Sequence, residues 1–368
     1  MKKITILALH LGIGGIEKYI SSLCKMLEDD FEIEIISTYK VLDKPAFDFS
    51  NKIKISYLIN DRPYKEELKN KKSFLKYLFK NIKILFLKKT RNIKAIKNIN
   101  SDIIITTRSF HNKLVGKYAK KNIVKIATEH NHHNNDSKYI KNIVNSLKEI
   151  NYLVVVSKEL QQFYQNKIGN TKCIYIPNVI DKIYDKPKYN KNHNLISIGR
   201  LSKEKGFDDL IDIINIVKKD IPDIKLNLIG DGNQKEELEN KIKKLKLEKN
   251  IIMHGYLNHK QIEKIMLETS LYVMTSLTES FGLVLIEANS YGVPCIAFDS
   301  ASGARQVIEN KELLVENRSK EKMASLIINL LNNNKLKEYG KESYEKCQKY
   351  LIDNVKKDWL KLTSIRKI

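Results

Sequence analysis

The segment Thr278-Glu-Ser-Phe-Gly-Leu-Val-Leu-Ile-Glu-Ala-Asn-Ser-Tyr-Gly-Val-Pro294 is the most informative part of the chain for its fold. Before it, Leu271–Thr275 is a short apolar run that favours a strand. The Gly-Val-Pro at its end stops a helix, and Cys295–Phe298 is apolar again. The order is therefore strand, loop, helix, strand, with Glu279 in the loop and Glu287 inside the helix.

This segment also has the features of a ligand site. Gly282 lets the backbone approach a ligand closely, and the N–H groups of Phe281, Gly282 and Leu283 open the helix toward an anion. Eight helical steps between Glu279 and Glu287 would cover about 12 Å, which suits two carboxylates that grip opposite ends of a polyhydroxylated ligand. The alternative is an amphipathic helix with two solvated glutamates.

The composition indicates two domains of ordinary size. The chain has 368 residues, of which 42 % are hydrophobic, and no apolar stretch approaches the ~20 residues of a membrane span. Met1–Leu9 resembles a signal peptide, but His10 interrupts it and no small-x-small cleavage pattern follows, so we expect a first strand. The four cysteines are far apart without a C-x-x-C, which is typical of thiols in a reducing cytoplasm: Cys24, Cys173, Cys295 and Cys347.

The net charge of +23 is concentrated locally, since residues 61–100 hold thirteen Lys/Arg against three Asp/Glu. A basic amphipathic helix in this region predicts a surface that binds anionic lipid, with the protein peripheral at the inner face of the membrane. The alternative is a domain helix whose apolar face is buried and whose lysines are solvated. No zinc finger, RNP signature or helix-turn-helix pattern is present, so we expect no nucleic-acid partner. The lysines that share one helical face are Lys69, Lys72, Lys76, Lys80 and Lys83.

Apolar strand-like runs alternate with helical patterns along the chain, which predicts an α/β protein with parallel sheets covered by helices on both faces. The polar, non-periodic segment Asp181–His193 is typical of a linker. We therefore predict domains at 1–178 and 179–349, with a C-terminal helix at about 350–368 that packs back on the first. The predicted strands are Ile4–Leu9, Ile33–Ser37, Ile53–Leu58, Ile103–Thr107, Val124–Ala127, Leu153–Val156, Leu195–Ile198, Lys225–Ile229, Ile251–His254, Leu271–Met274, Cys295–Phe298 and Leu313–Val315.

Two cations follow the first strand of the second domain. Gly199-Arg200 ends this strand, and Lys205 lies five residues later, just before the next helix. Arginine offers a planar fork for phosphate oxygens and lysine a mobile point charge, so together they can neutralise a leaving diphosphate. The alternative is a pair of surface cations. Gly230 and Tyr256 follow the next two predicted strands and would lie at the same edge of the sheet.

Two loops of the first domain are also candidates. Gly14 and Gly15 follow the first strand and permit close approach of a phosphate, although a plain strand–helix turn fits equally well. His130 follows a later strand and could bind a hydroxyl or act as a general acid or base; the alternative is a solvated loop histidine. A metal site with His132 and His133 is disfavoured, because these neighbours point apart and no further ligand set follows.

Together these motifs resemble, in their order along the chain, the family-4 retaining glycosyltransferases of the GT-B fold. The resemblance covers nearly the whole chain; it is most specific from Gly199 to Val315 and looser before residue 100. It implies two Rossmann-like domains that face a central cleft, with a nucleotide-sugar donor held mainly by the second. The residues that carry it are Gly14-Gly15, Glu129-His130, Gly199-Arg200, Lys205-Gly206, Gly230-Asp-Gly232, Gly255-Tyr256, Glu279 and Glu287.

The resemblance assigns roles to these positions. It implies that Arg200 and Lys205 bind the donor diphosphate, that Glu287 holds the ribose hydroxyls, and that Glu279 faces the donor sugar and its phosphate. His130 would lie near the anomeric centre. Further implied donor contacts come from the backbone of Phe281, Gly282 and Leu283, from Gly14 and Gly15 near the phosphate and acceptor, from Gly199 and Gly230, and from Tyr256 near the base.

The family transfers sugar with retention and without a metal or other cofactor, and no Asp-x-Asp metal motif is present in this sequence. The resemblance therefore implies transfer of a hexose or N-acetylhexosamine, UDP-linked by family frequency, to a lipid-linked or cell-surface glycan. Asp299–Ile308, with its Gly303-Ala-Arg305, departs from the usual Gly-Pro-x-Glu pattern. A nucleotide-sugar epimerase or phosphorylase on the same fold, and a basic nucleic-acid-binding protein, are the alternatives.

Overall fold

The computed structural model describes residues 1–61, 71–185, 187, 189–333 and 335–364; for 71–79 it describes the backbone alone. The chain divides into two compact units, Met1–Pro177 with the segment from Val355 onward, and Asn178–Asn354. Each unit contains one parallel β-sheet with helices between its strands. The α/β prediction with two doubly wound domains is confirmed.

The first unit has a seven-stranded sheet in the order β3-β2-β1-β4-β5-β6-β7, and all its pairs are parallel. The strand order reverses between β1 and β4, and at such a switch point the loops at the carboxyl ends diverge and leave a crevice for a ligand. The strands are β1 (Lys2–Ala8), β2 (Phe31–Tyr39), β3 (Lys54–Ile59), β4 (Ile103–Thr106), β5 (Val124–Glu129), β6 (Tyr152–Val155) and β7 (Lys172–Tyr175).

The second unit has a six-stranded parallel sheet in the order β10-β9-β8-β11-β12-β13. Its switch point lies between β8 and β11, so the loops after these two strands are where a ligand is expected. The strands are β8 (Asn194–Ile198), β9 (Lys225–Ile229), β10 (Ile251–Gly255), β11 (Leu271–Met274), β12 (Cys295–Phe298) and β13 (Leu314–Val315).

Helices connect most of the strands. They are α1 (Gly15–Leu27), α2 (Lys71–Asn98), α3 (Ser109–Tyr118), α4 (Ser137–Ser146), α5 (Lys158–Gln165), α6 (Phe207–Val217), α7 (Lys235–Lys244), α8 (His259–Met266), α9 (Leu283–Ser290), α10 (Ser302–Ile308), α11 (Lys320–Asn332), α12 (Lys335–Cys347) and α13 (Ile352–Ser364). None of the described helices is both long and apolar enough to cross a membrane.

The C-terminal helix α13 packs on the first unit. Trp359 on this helix is fully buried, Lys356 Nζ lies 2.6 Å from Asp30 Oδ2, and Lys2 Nζ donates to the Thr363 carbonyl oxygen at 3.0 Å. The hydrogen bond thus joins α13 to the start of β1 and the ion pair joins it to the turn before β2, while the buried Trp359 ring adds apolar contact area.

Candidate active site

Lys205 and Glu279 form an ion pair at the switch point of the second sheet. Lys205 precedes α6 in the loop after β8, and Glu279 lies in the loop after β11, so parallel pairing brings the two loops to one edge. The Lys205 Nζ–Glu279 Oε2 distance is 2.7 Å, and the side chains are 23 % and 18 % exposed. The carboxylate therefore holds the ammonium group in one place while leaving it accessible from solvent.

Gly206 sets the position of Lys205. Its φ is +64°, and a Cβ there would overlap the carbonyl oxygen of Thr275 at the end of β11. Thr275 Oγ1 in turn donates to the Lys205 carbonyl oxygen at 3.2 Å. Only glycine permits this approach between the loops after β8 and β11.

Arg318 connects the loop after β11 to helix α6. Its Nη1 donates to the Ser276 carbonyl oxygen at 3.0 Å, and its Nη2 donates to the Thr275 carbonyl oxygen at 3.0 Å. Nη2 also contacts Asp209 Oδ2 on α6 at 2.6 Å, while the guanidinium carbon lies 4.4 Å from the Phe298 ring centroid. One guanidinium thus ties the start of α6 to the loop before Glu279, a contact that the sequence did not reveal.

The loop to α9 follows the predicted order of elements. Gly282, with φ +87°, is the N-cap, and as a glycine it provides no side chain to cap the N–H groups of the first turn. The helix begins only at Leu283, so the expectation of eight helical steps between the two glutamates is wrong. Glu287 lies in α9, and its charge and that of Glu279 both add to burial in raising the pKa of Tyr272. The Tyr272 hydroxyl bonds the backbone of Ile198 at the end of β8.

The segment that departs from the family pattern supports the loop of Glu279. Gly303 N–H donates to the Glu279 carbonyl oxygen at 2.8 Å, and Ser302 Oγ donates to the same oxygen at 3.3 Å. A Cβ at Gly303 would overlap the backbone of Phe281. The Phe281 side chain is buried and contacts Tyr350 edge-on, so only its backbone can face a ligand.

The remaining predicted residues of this unit lie at the same edge of the sheet, and the side chains of Arg200 and Tyr256 are largely exposed. Arg200 is 73 % exposed at the end of β8, with Nη2 3.9 Å from Glu204 Oε1. Tyr256, after β10, is 61 % exposed. Gly230 packs against Gly199, because a Cβ at Gly230 would overlap the Gly199 carbonyl oxygen. Close packing therefore requires glycine at position 230, in addition to any contact of Gly199 and Gly230 with the donor.

In the first unit, His130 follows β5 and is held as a neutral imidazole. Its Nε2 lies 2.9 Å from Thr128 Oγ1, and its ring is 4.1 Å from that of Tyr19. Burial, with the charge of Arg108, lowers the pKa of His130 to about 3. At neutral pH it is therefore a polar contact and not an imidazolium acid. Neighbouring Glu129 accepts from the His130 backbone N–H at 3.0 Å and from Tyr139 Oη, which shapes this loop.

The glycine loop after β1 faces a carboxylate of its own helix. Glu17 is buried in the first turn of α1, and its Oε2 occupies the space that a Cβ at Gly14 would need, while Gly15 has open space. Glu17 Oε1 lies 3.4 Å from His10 Nδ1 and 3.5 Å from Arg108 Nη2. Sequence reasoning missed Glu17 and Arg108, although Arg108 follows strand β4 at the switch point.

Within the described residues, one group of acidic side chains is close enough to share a metal ion: Asp208, Asp209 and Asp212 on α6. Lys241 pairs with Asp208 at 2.8 Å, and Lys320 with Asp212 at 2.7 Å. Together with Arg318, these lysines balance the acidic charge. This cluster therefore functions as an ion-pair network between α6, α7 and α11.

Comparison with known proteins agrees with this architecture. The family model "Glycosyltransferase Family 4" matches residues 13–182, and "Glycosyl transferases group 1" matches residues 180–350. The chain belongs to this family of GT-B glycosyltransferases.

Individual relatives match this chain over different lengths. An exopolysaccharide phosphotransferase of Streptomyces coelicolor is 25 % identical over 95 % of this chain, and a poly(ribitol-phosphate) alpha-N-acetylglucosaminyltransferase of Staphylococcus aureus is 30 % identical over 66 %. The chain spans 39 % and 51 % of the length of these two relatives. The crystal structure of a mutant of S. aureus TarM with fondaparinux, alpha-GlcNAc-glycerol and UDP superposes with a TM-score of 0.81 at 19 % identity, covering 99 % of this chain and 100 % of that one.

Proposed function

We propose that this protein is a retaining, metal-independent glycosyltransferase that moves a hexose or N-acetylhexosamine from a UDP-sugar to a lipid-linked or cell-surface glycan. The observation that carries the proposal is the Lys205–Glu279 pair beside the uncapped start of α9. A cation and free N–H groups at one strand edge can stabilise the charge that develops on a departing diphosphate. Arg200 adds a second cation at the same edge.

The other residues have positioning roles in this proposal. Glu287 would hold the ribose hydroxyls and Glu279 the donor sugar, while neutral His130 would contact a sugar hydroxyl near the anomeric centre. The departing phosphate would accept the proton of the acceptor hydroxyl, so that the protein needs no nucleophile. UDP is supported by its presence in the TarM complex, and an acceptor of the cell envelope by the poly(ribitol-phosphate) acceptor named for the S. aureus relative.

Thermal-shift measurements with UDP, GDP and ADP test the donor site. We expect UDP to give the largest rise in Tm of the three nucleotides. A ligand present at 100 times its Kd raises the free energy of unfolding by about 2.7 kcal/mol. Glu287→Ala and Arg200→Ala should each reduce this shift strongly, because each removes a charged contact with the nucleotide. Glu236→Ala, an exposed glutamate on α7, is the control and should behave like the unmodified protein.

If both substitutions left UDP binding and turnover intact, the site assignment would be wrong. In a transfer assay, the product anomer observed by NMR reports retention, and unchanged activity in EDTA reports metal independence. Consumption of donor without an acceptor product would instead favour an epimerase.

We further propose that α2 binds an anionic membrane surface from the cytoplasmic side. Ile82, Leu85 and Phe86 are 53 %, 53 % and 67 % exposed on this helix, while Lys83 between them is also exposed. The inward contact is made by Ile84, which packs against Tyr39 and Ile59. An exposed apolar stripe flanked by lysines suits the interface of acyl chains and anionic headgroups. Of the predicted lysines, Lys80 pairs with Asp61 at 3.1 Å, Lys69 lies outside the described residues, and only the backbone is described for Lys72 and Lys76.

Vesicle flotation tests this surface. We expect binding to vesicles of phosphatidylcholine with phosphatidylglycerol and little binding to phosphatidylcholine alone. Phe86→Ser should weaken binding about tenfold, because burial of a large apolar side chain contributes about 1.5–3 kcal/mol. Ile252→Ser, at an exposed apolar residue of β10, is the matched control. Equal flotation with neutral vesicles, or no effect of Phe86→Ser, would contradict the proposal.

A further inference from the structure

The N-terminus of α3 carries positive charge where a helix ordinarily attracts negative charge. Its N-cap is Arg108, which makes no side-chain cap, and its first turn contains no acidic residue. A helix N-terminus has a partial positive charge and unpaired N–H groups, so a cation there is unfavourable unless an anion is also present. α3 follows β4, at the switch point of the first sheet.

Lys88 adds a second cation at this position. It lies on α2, and its Nζ is 4.1 Å from the ring centroid of Phe110, the second residue of α3. Burial lowers the pKa of Lys88, and no carboxylate among the residues that the structure describes contributes in the opposite direction. A partly desolvated ammonium group whose contact is an aromatic ring is costly in the absence of an anion.

Buried polar atoms without partners lie beside these cations. Arg108 Nε is buried and has no hydrogen-bond partner within the described residues. The other end of the guanidinium, Arg108 Nη2, lies 3.5 Å from Glu17 Oε1. His111, also in the first turn, is fully buried; its Nε2 bonds Thr38 Oγ1 at 2.9 Å, and its Nδ1 is unpaired within the same part of the chain. Burial and, to a smaller extent, the charges of Lys88 and Arg108 lower the pKa of His111 to about 3, so this imidazole is neutral.

The tautomer of His111 follows from its neighbours. Thr38 Oγ1 donates its hydrogen to Asn92 Oδ1 at 3.2 Å. The Thr38 hydroxyl must therefore accept from His111, which places the imidazole hydrogen on Nε2 and leaves Nδ1 as a hydrogen-bond acceptor. Around the start of α3 there are thus two cations and free backbone N–H groups for a phosphate, and one acceptor for a hydroxyl. Glu17 supplies the one carboxylate that pairs with this set in the described residues.

We propose that Lys88, Arg108 and the N-terminus of α3 form a binding site for a phosphate of the acceptor, of the class of polyol phosphates. This inference rests on the proposed glycosyltransferase function, and it names the acceptor chemistry that the first unit recognises. The phosphate would supply the missing negative charge, and a neighbouring polyol hydroxyl would donate to His111 Nδ1. The same chemistry could come from the donor diphosphate, which the experiment must distinguish.

Binding of glycerol 3-phosphate to the full chain, measured by calorimetry with and without saturating UDP, tests the site. We expect binding in both conditions, no binding of glycerol, and a loss of about tenfold in affinity for Lys88→Gln, since one charge-assisted contact is removed. Lys88→Arg should restore most of the affinity. Lys94→Gln, at an exposed lysine of the same helix, should have no effect.

Three results would overturn the inference: no binding of glycerol 3-phosphate, equal binding by Lys88→Gln, or complete competition by UDP, which would assign the phosphate site to the donor. The UDP shift of Lys88→Gln should equal that of the unmodified protein. Failure of this inference therefore leaves the UDP response intact, whereas failure of the proposed function removes the UDP response itself.

Discussion

Replacing Lys205 with alanine should lower kcat/KM for sugar transfer by about 10²- to 10³-fold, the usual effect of removing one preorganised group that stabilises developing charge. Glu279 already holds the ammonium group at 2.7 Å, so little reorganisation is needed when the diphosphate departs. Because the charge on the leaving group grows in the transition state, the loss should fall mainly on kcat. Steady-state kinetics with varied donor measure this division.

Lys203→Ala is the matched control, since Lys203 is an exposed lysine two residues earlier in the same loop. It should retain nearly full activity. A Lys205→Ala enzyme within about twofold of the unmodified one would contradict a role in leaving-group stabilisation. Glu279→Gln should have a smaller effect than Lys205→Ala, since it keeps a hydrogen-bond acceptor beside the lysine but removes the charge that holds it.

Replacing Gly206 with alanine should destabilise the second unit by at least about 3 kcal/mol and weaken UDP binding in the protein that still folds. The backbone at φ +64° alone costs a non-glycine residue about 1–2 kcal/mol. In addition, the new Cβ would overlap the Thr275 carbonyl oxygen, which also accepts from Arg318. Displacement of Thr275 would move Lys205 and break the brace between the two loops.

Gly255→Ala separates the two contributions, because Gly255 lies in the same unit with φ +67° and a Cβ added there would have no neighbour within 4 Å. It should lose about 1–2 kcal/mol, the conformational cost alone. Urea unfolding of both variants provides the comparison. Equal losses for Gly206→Ala and Gly255→Ala would show that contact with Thr275 contributes nothing.

Most elements could be predicted from local patterns, because apolar runs bounded by turn residues determine strands with little help from distant contacts. The predicted strands lie near observed ones, and β11, β12 and the helix between them follow the predicted order. Strand β7, Lys172-Cys-Ile-Tyr175, is absent from the prediction. It is a short edge strand with few β-branched residues, and pairing with β6 decides its conformation.

The sequence by itself determined the family, the parallel α/β architecture, the placement of Glu279, Lys205 and His130 in loops after strands, and the placement of Glu287 in a helix, since these depend on residue type and order along the chain. Only the tertiary structure decided which side chains meet. Lys205 and Glu279 are joined across 74 positions and Arg318 and Asp209 across 109, because parallel pairing brings distant loops to one sheet edge. The grouping of Lys88 and Arg108 at the start of α3 also depends on tertiary packing. No local sequence pattern predicts that these cations are partly buried or that few carboxylates lie beside them.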